Sequence, residues 1–106
     1  MAVHIKDANE FETKLTEAGS SLVVVDFFAQ WCGPCKVIAP KIEELAAEYL
    51  DVVFLKVDVD ECEDIASDYE ITAMPTFVFI KHKQKIDAFS GANADKVKQY
   101  ITKYKM

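Results

Sequence analysis

The hydrophobic positions along the chain predict an alternation of strands and helices. Two nearly continuous apolar runs, at residues 22–28 and 52–59, are typical of central strands that are covered on both faces. Between these runs, Ile38, Ile42 and Leu45 recur at the spacing of one helical face. A strand, a helix and a second strand in this order predict two parallel strands joined by a crossover helix.

Three further segments carry signals for the start of a helix. Asp7 is followed three residues later by Glu10, which is the spacing of a capping box. Asp60 and Glu63 repeat this spacing, and Asn93 is placed to cap a last helix. Together with the long helix after residue 32, these segments predict four helices.

The last part of the chain predicts two short strands, at 76–80 and 85–89, separated by a polar turn at 81–85. Because this turn is short, the two strands must be antiparallel. Val3 and Ile5 alternate with polar residues and predict a short first strand. The order β-α-β-α-β-α-β-β-α predicts a single α/β domain over residues 1–106, with helices on both faces of a mixed sheet.

Composition and charge exclude several classes of protein. The chain has 106 residues, of which 51% are hydrophobic and 28% charged, as expected for one globular domain. No stretch approaches the ~20 apolar residues of a membrane span, and the N-terminus lacks an apolar signal core. All 12 basic residues are lysines and the net charge is −6, which argues against nucleic-acid binding. We expect a protein of the reducing cytoplasm that binds no membrane, with nuclear entry left open.

Acidic residues are concentrated in one segment, which contains no basic residue. Two interpretations are open: a solvated helix face, or a patch that selects basic partners. The segment comprises Asp58, Asp60, Glu61, Glu63, Asp64, Asp68 and Glu70.

A pair of cysteines lies between the first central strand and the long helix. Pro34 suits the first turn of that helix, where a missing N–H costs nothing, and Gly33 keeps the loop narrow. Cys32 then lies at the helix N-terminus, where free N–H groups and the helix dipole favour a thiolate, and Lys36 adds a positive charge. We expect Cys32 to attack a disulfide, and Cys35, one turn in and more shielded, to resolve the mixed disulfide.

Other interpretations of the cysteine pair have less support in the sequence. Zinc requires four ligands, usually from two such pairs, but only His4, Cys62 and His82 remain, scattered singly. A structural disulfide without turnover is the second alternative. Three cysteines, an odd number, fit a reactive pair and one free thiol better than a disulfide-stapled secreted scaffold.

Asp26 is the only charged residue in the first central strand. Burial of a lone carboxylate raises its pKa, because the charged form loses its hydration. Such an acid beside a dithiol can take a proton from Cys35 and return it. Lys56, which lies in the other apolar run, is expected to approach Asp26 and to offset part of the rise in pKa. The alternative is an Asp at the strand edge that is solvated or caps the next helix.

Four segments resemble those of the thioredoxin family, and the resemblance covers the whole chain. They are VVVDFFAQWCGPCK at 23–36, KVDVDE at 56–61, AMPTFVF at 73–79 and FSGAN at 89–93. Two departures are Gln30, at a position that varies in the family, and residues 82–84, which replace a Gly-containing turn. The resemblance implies a thioredoxin fold, in which four helices flank a central mixed five-stranded sheet in three α/β/α layers.

The same resemblance implies a function and a substrate-binding rim. It implies a thiol–disulfide oxidoreductase with the cysteine roles given above and a buried Asp26. It also implies a cis bond before Pro75, which would lie against the cysteine pair, with Met74 exposed beside the site. Without the resemblance, a core methionine is the better interpretation of Met74. Gly91 and Ala92 would add to the substrate-facing rim. Trp31 would shield the site and contact substrate, the alternative being a core aromatic at a strand end.

By the resemblance, NADPH supplies electrons through a separate flavoenzyme, thioredoxin reductase, and the chain itself binds no cofactor. Expected targets are ribonucleotide reductase, peroxiredoxin and methionine sulfoxide reductase, and we expect a monomer. Cys62, on the inward face of its helix, is either a small buried apolar residue or a redox-regulatory thiol. The competing hypothesis for the whole chain is a redox-sensitive binding module or regulatory subunit without turnover.

Overall fold

Five strands and four helices follow one another in the predicted order. The computed structural model describes residues 1–106. Most bounds lie within one or two residues of the predicted ones. The elements are β1 Val3–His4, α1 Ala8–Ala18, β2 Val23–Phe28, α2 Gly33–Glu48, β3 Val53–Asp58, α3 Glu63–Asp68, β4 Thr76–Lys81, β5 Gln84–Ser90 and α4 Ala94–Tyr104.

The strands form one mixed sheet in the order β1-β3-β2-β4-β5. β3 is parallel to both β1 and β2, whereas β4 is antiparallel to β2 and β5. β2 is therefore central, and the loop at its carboxyl end leads directly into α2. The predicted mixed five-stranded sheet is confirmed.

Hydrophobic cores cover both faces of the sheet, because successive side chains of a strand point to opposite faces. On one face, Val24 of β2 belongs to a cluster with Ile42 of α2 and Ile101 of α4. On the other face, Val25 belongs to a cluster that includes Phe11 of α1 and Ile65 of α3. The three-layer arrangement explains why β2 is almost continuously apolar.

Two of the predicted helix caps are confirmed. The Asp7 carboxylate accepts the Glu10 N–H at 2.8 Å at the start of α1. The Asn93 side chain accepts the Lys96 N–H at 3.0 Å at the start of α4. In both cases a side-chain oxygen satisfies an N–H group that has no partner within the helix.

The predicted cap at Asp60 is wrong. α3 begins at Glu63 with Cys62 at the N-cap position, and no side chain caps it. The carboxylate that accepts backbone N–H groups here is that of Asp58, from Asp60 at 2.8 Å and Glu61 at 3.3 Å. Asp58 is only 1% exposed, so it belongs neither to a solvated helix face nor to an exposed acidic patch, the two interpretations left open for this segment.

Two tight connections use residues other than glycine in the left-handed region. The β4–β5 turn has two residues rather than the predicted five, His82 at φ 51° and Lys83 at φ 63°. At the end of α3, Glu70 has φ 54°. Its N–H bonds to the Ser67 carbonyl, and the Ile71 N–H bonds to the carbonyl of Ala66. This is the Schellman arrangement, in which glycine is the preferred residue at the position of Glu70.

The two outer strands of the sheet are short or irregular. β1 has two residues, and its ladder continues by one bond, from the Ile5 N–H to the Lys56 carbonyl. β5 is largely exposed along its first half, and its register against β4 shifts between Phe79 and Ile80. None of the four helices combines the length with the apolar character that a membrane-spanning helix requires.

Candidate active site

Cys32 and Cys35 form a disulfide at the N-terminus of α2. Cys32 is the N-cap residue, and its Sγ accepts the Cys35 N–H at 3.2 Å. The Cys32 carbonyl accepts the Lys36 N–H at 3.3 Å, and Pro34 lies in the first turn. The Cys32 sulfur therefore occupies the position where a side-chain acceptor is stabilised by N–H groups and by the positive end of the helix dipole.

The expectation that Cys35 is more shielded than Cys32 is wrong for the disulfide form. The two residues are 5% and 4% exposed, respectively. The reason is that the disulfide draws both side chains into one small cluster with Ala29, against which Phe28 and Met74 pack. In this state the two cysteines differ in their place on the helix and not in their exposure.

An exposed rim surrounds the buried disulfide. Trp31 is 69% exposed, and its indole Nε1 donates to the Asp60 carboxylate at 3.0 Å. Gly33, Pro34 and Lys36 are also exposed. Trp31 is thus a surface residue held by a polar contact, and the alternative of a core aromatic is wrong.

A second segment approaches the disulfide from the start of β4. The Met74–Pro75 bond is cis, Pro75 is buried, and Met74 is half-buried against the cysteine cluster. The expected exposure of Met74 beside the site is found only in part, because its side chain packs against the cysteine cluster. The Gly91 N–H donates to the Pro75 carbonyl at 2.9 Å, which brings Gly91 and the exposed Ala92 to the same rim.

Asp26 lies in the middle of β2 and is 7% exposed. Its Oδ1 has no hydrogen-bond partner. Desolvation raises the pKa of Asp26 to about 7, and the nearby charge of Lys56 opposes the rise. A solvated or capping Asp at this position, the alternative left open by the sequence, does not fit this burial.

A small cavity of about 90 Å³ connects Asp26 with the cysteine pair. Asp26, Cys35 and Lys56 line it. Asp26 and Lys56 are register partners on β2 and β3. The Lys56 ammonium lies 5.4 Å from the centre of the Phe28 ring and makes no ion pair within 4.0 Å. A cavity of this size has room for a water molecule between a carboxyl group and a thiol.

Cys62 is free, 2% exposed, and separate from the reactive pair. Its Sγ lies 3.7 Å from the Ile5 carbonyl oxygen. Burial, followed by nearby carboxylates of which Asp64 contributes most, raises the pKa of the Cys62 thiol. The structure has no group of three or more His, Cys, Asp or Glu side chains placed to hold a metal ion.

Two polar residues beside the site were not predicted to have a role. Gln30 precedes Trp31, and its Nε2 donates to Asp58 Oδ2 at 3.4 Å. The sequence contains one indication of the role of Asp58, which is its position at the end of an apolar run. At such a position an Asp side chain often accepts the backbone N–H groups of the residues that follow it.

A disulfide between two cysteines of one C-x-x-C segment, at the N-terminus of the helix that follows a central strand of a mixed α/β sheet, is typical of thiol–disulfide oxidoreductases. The family model described as Thioredoxin matches residues 2–103. Thioredoxin from Mus musculus is 52% identical over 100 residues, which are 94% of this chain and 95% of that protein. The chain therefore belongs to the thioredoxin family, and it is a protein disulfide oxidoreductase with a redox-active cysteine pair.

Solved structures agree with this assignment. Thioredoxin from Fasciola hepatica has a TM-score of 0.95 and 52% identity, over 97% of this chain and 99% of that one. A second solved structure has a TM-score of 0.88 and 39% identity. Its description concerns the structural basis of the thiol-resolving mechanism in yeast mitochondrial 1-Cys peroxiredoxin via glutathione/thioredoxin systems. The match covers 96% of this chain and 94% of that one. The predicted thioredoxin fold is confirmed.

Proposed function

We propose that the protein reduces disulfides in other proteins and that its two cysteines have different roles. The Cys32 thiolate attacks one sulfur of the substrate disulfide, forms a mixed disulfide and releases the other substrate sulfur as a thiolate. The Cys35 thiolate then attacks Cys32 Sγ and releases the second substrate sulfur. Two electrons pass from the dithiol to the substrate, and the Cys32–Cys35 disulfide remains.

The position of Cys32 carries this proposal. As the N-cap residue of a 16-residue helix, it faces the helix N–H groups and already accepts one of them, from Cys35. These groups stabilise a thiolate on Cys32 and make it both the better nucleophile and the better leaving group. Lys36, on the exposed side of the first turn, adds positive charge. Cys35 lies within the helix and gains less from its dipole.

Asp26 is proposed to exchange protons with Cys35. Its pKa of about 7 lies near neutrality, so it can both accept and return a proton. The shared cavity allows a water molecule to relay the proton between them. Lys56 favours the ionised carboxylate and prevents a larger rise in the pKa of Asp26.

The substrate chain is proposed to bind in extended form across the rim. The Met74 backbone N–H and C=O groups make no hydrogen bond within the protein, so both are free to pair with another chain. Met74 packs against the cysteine cluster, which places this segment beside the disulfide. Trp31 on one side, and Gly91 with Ala92 on the other, would contact the flanking substrate residues.

Family members imply a reductase and disulfide-containing protein substrates. We propose that NADPH supplies electrons through thioredoxin reductase and that the protein acts as a monomer in the cytoplasm. Ribonucleotide reductase, peroxiredoxin and methionine sulfoxide reductase are the proposed targets. A peroxiredoxin is favoured by the similarity to the yeast structure obtained in that context.

A reductase-coupled assay tests the proposal. The parent protein, thioredoxin reductase, NADPH and a disulfide-containing protein should give sustained NADPH oxidation together with new substrate thiols. The Cys35→Ser variant should give none, because no intramolecular disulfide can form. Stoichiometric complex formation without NADPH turnover by the parent would instead favour a binding module.

A further inference from the structure

Both carboxylate oxygens of a buried acid outside the cysteine site accept hydrogen bonds, from one loop and from one neighbouring segment. Asp58 is 1% exposed. Its Oδ1 accepts the backbone N–H groups of Asp60 and Glu61, and its Oδ2 accepts from Gln30. Burial of an acid is costly unless its oxygens are bonded, so this arrangement fixes the conformation of the 58–61 loop.

The same loop reaches the active-site rim. Asp60 belongs to this loop, and its backbone N–H donates to the Asp58 carboxylate at 2.8 Å. The side-chain carboxylate of Asp60 in turn accepts the indole N–H of Trp31 at 3.0 Å. Gln30, the neighbour of Trp31, bonds to Asp58 directly at 3.4 Å. The two residues that precede Cys32 are therefore both held in place. Gln30 is held by the Asp58 carboxylate, and Trp31 by the loop whose conformation Asp58 fixes.

We propose that Asp58 is a positioning residue for disulfide reduction, which acts by holding Trp31 in place beside Cys32 for the incoming substrate chain. The inference rests on the proposed function of Trp31 in substrate contact. Trp31 is 69% exposed, so packing alone does little to fix its side chain. A hydrogen bond between two exposed groups gains stability when one partner is already immobilised, because less conformational entropy is then lost.

The variants Asp58→Ala and Asp58→Asn test this proposal, with Glu63→Gln as the control. Asn keeps one acceptor oxygen for the loop N–H groups, so it should retain part of the function, whereas Ala should retain none. Glu63 is an exposed acid of α3 without a recorded hydrogen bond or ion pair. Its variant removes one negative charge from the same region and should resemble the parent.

The readouts separate positioning from stability. Trp31 is the only tryptophan, so the fluorescence anisotropy of the protein reports its mobility directly. At temperatures well below unfolding, Asp58→Ala should lower the anisotropy. It should also raise the KM for a protein disulfide about threefold to tenfold, because the net contribution of one hydrogen bond to binding corresponds to this range. The kcat should change less. If Asp58→Ala does not fold, Asp60→Ala, which removes the exposed end of the network, should give the same two changes.

A double-mutant cycle with Trp31→Phe gives the decisive comparison. If Asp58 acts through Trp31, Asp58→Asn should raise the KM in the parent but not in the Trp31→Phe background. Equal effects in both backgrounds, or unchanged anisotropy and KM in every Asp58 and Asp60 variant, would overturn the proposal. A parent protein without turnover would contradict the proposed function itself, which makes the two failures distinguishable.

Discussion

Replacement of Asp26 by Asn should stabilise the protein at neutral and alkaline pH while slowing disulfide reduction. The carboxyl group lies in the centre of the sheet, and its Oδ1 has no hydrogen-bond partner. Ionisation there is unfavourable, and Asn removes the ionisation without a large change of shape. Loss of the proton acceptor should lower the rate at which Cys35 resolves the mixed disulfide.

The magnitude follows from the difference between the folded and unfolded pKa of Asp26. The pKa rises from 3.8 to about 7, and each unit corresponds to about 1.4 kcal/mol. Between these two values the folded state binds more protons than the unfolded state, so stability falls as the pH rises through this window and is then constant. Relative to low pH, the titration of Asp26 therefore lowers the free energy of unfolding by about 4 kcal/mol at pH 8 and by roughly 1.5 kcal/mol at pH 5.

The difference between the two pH values is the diagnostic quantity. Asn still buries a polar amide, which costs about 1–3 kcal/mol at any pH and lowers the absolute gain. The variant should gain roughly 2.5 kcal/mol more over the parent at pH 8 than at pH 5, because only the parent ionises. Asp26→Ala should show the same pH dependence, with a separate cost for the cavity that it leaves.

Denaturant unfolding of the disulfide form at pH 5 and pH 8 measures this difference. Asp68→Asn, a change at an exposed acid of α3, is the matched control and should shift both curves little. A gain for Asp26→Asn that is equal at the two pH values, or no gain at pH 8, would refute the reasoning from desolvation.

The remaining predictions concern the thiols and one helix end. Cys35→Ser should accumulate a mixed disulfide with a substrate protein on a non-reducing gel, and Cys32→Ser should trap almost none; equal trapping would reverse the roles. Cys62→Ser should keep reductase-coupled activity within tenfold of the parent, because Cys62 is buried and separate from the reactive pair. Glu70→Gly should raise the free energy of unfolding by about 1 kcal/mol, because φ is 54° there. Glu44→Gly, in the exposed interior of α2, should lower it by about as much, and a loss at both sites would contradict the Schellman assignment.

Features that depend on local sequence were predictable. The apolar runs predicted the bounds of β2 and β3 to within one residue at each end, because a strand buried on both faces is apolar along almost its whole length. The caps at Asp7 and Asn93 followed from bonds that span only three residues. Cys32 at the N-cap followed from its place before Pro34.

Features that depend on distant contacts were not predictable. Asp58 and Asp60 have the same side chain and lie two residues apart, yet one is buried beneath Gln30 and the other is exposed at Trp31. Only the packing of β3 against the segment after β2 separates them. The half-buried state of Met74 likewise depends on a disulfide about forty residues away in sequence, which no local pattern contains.

The outer strands of the sheet bear on how the protein behaves when concentrated. An exposed strand edge offers unpaired N–H and C=O groups to another chain and favours aggregation. Here β1 is only two residues long, and β5 carries exposed charge at Lys85 and a register shift against β4. Both edges are therefore poor templates for strand addition. If the proposed function holds, extended chains should instead pair with the unoccupied backbone groups of Met74 beside the disulfide.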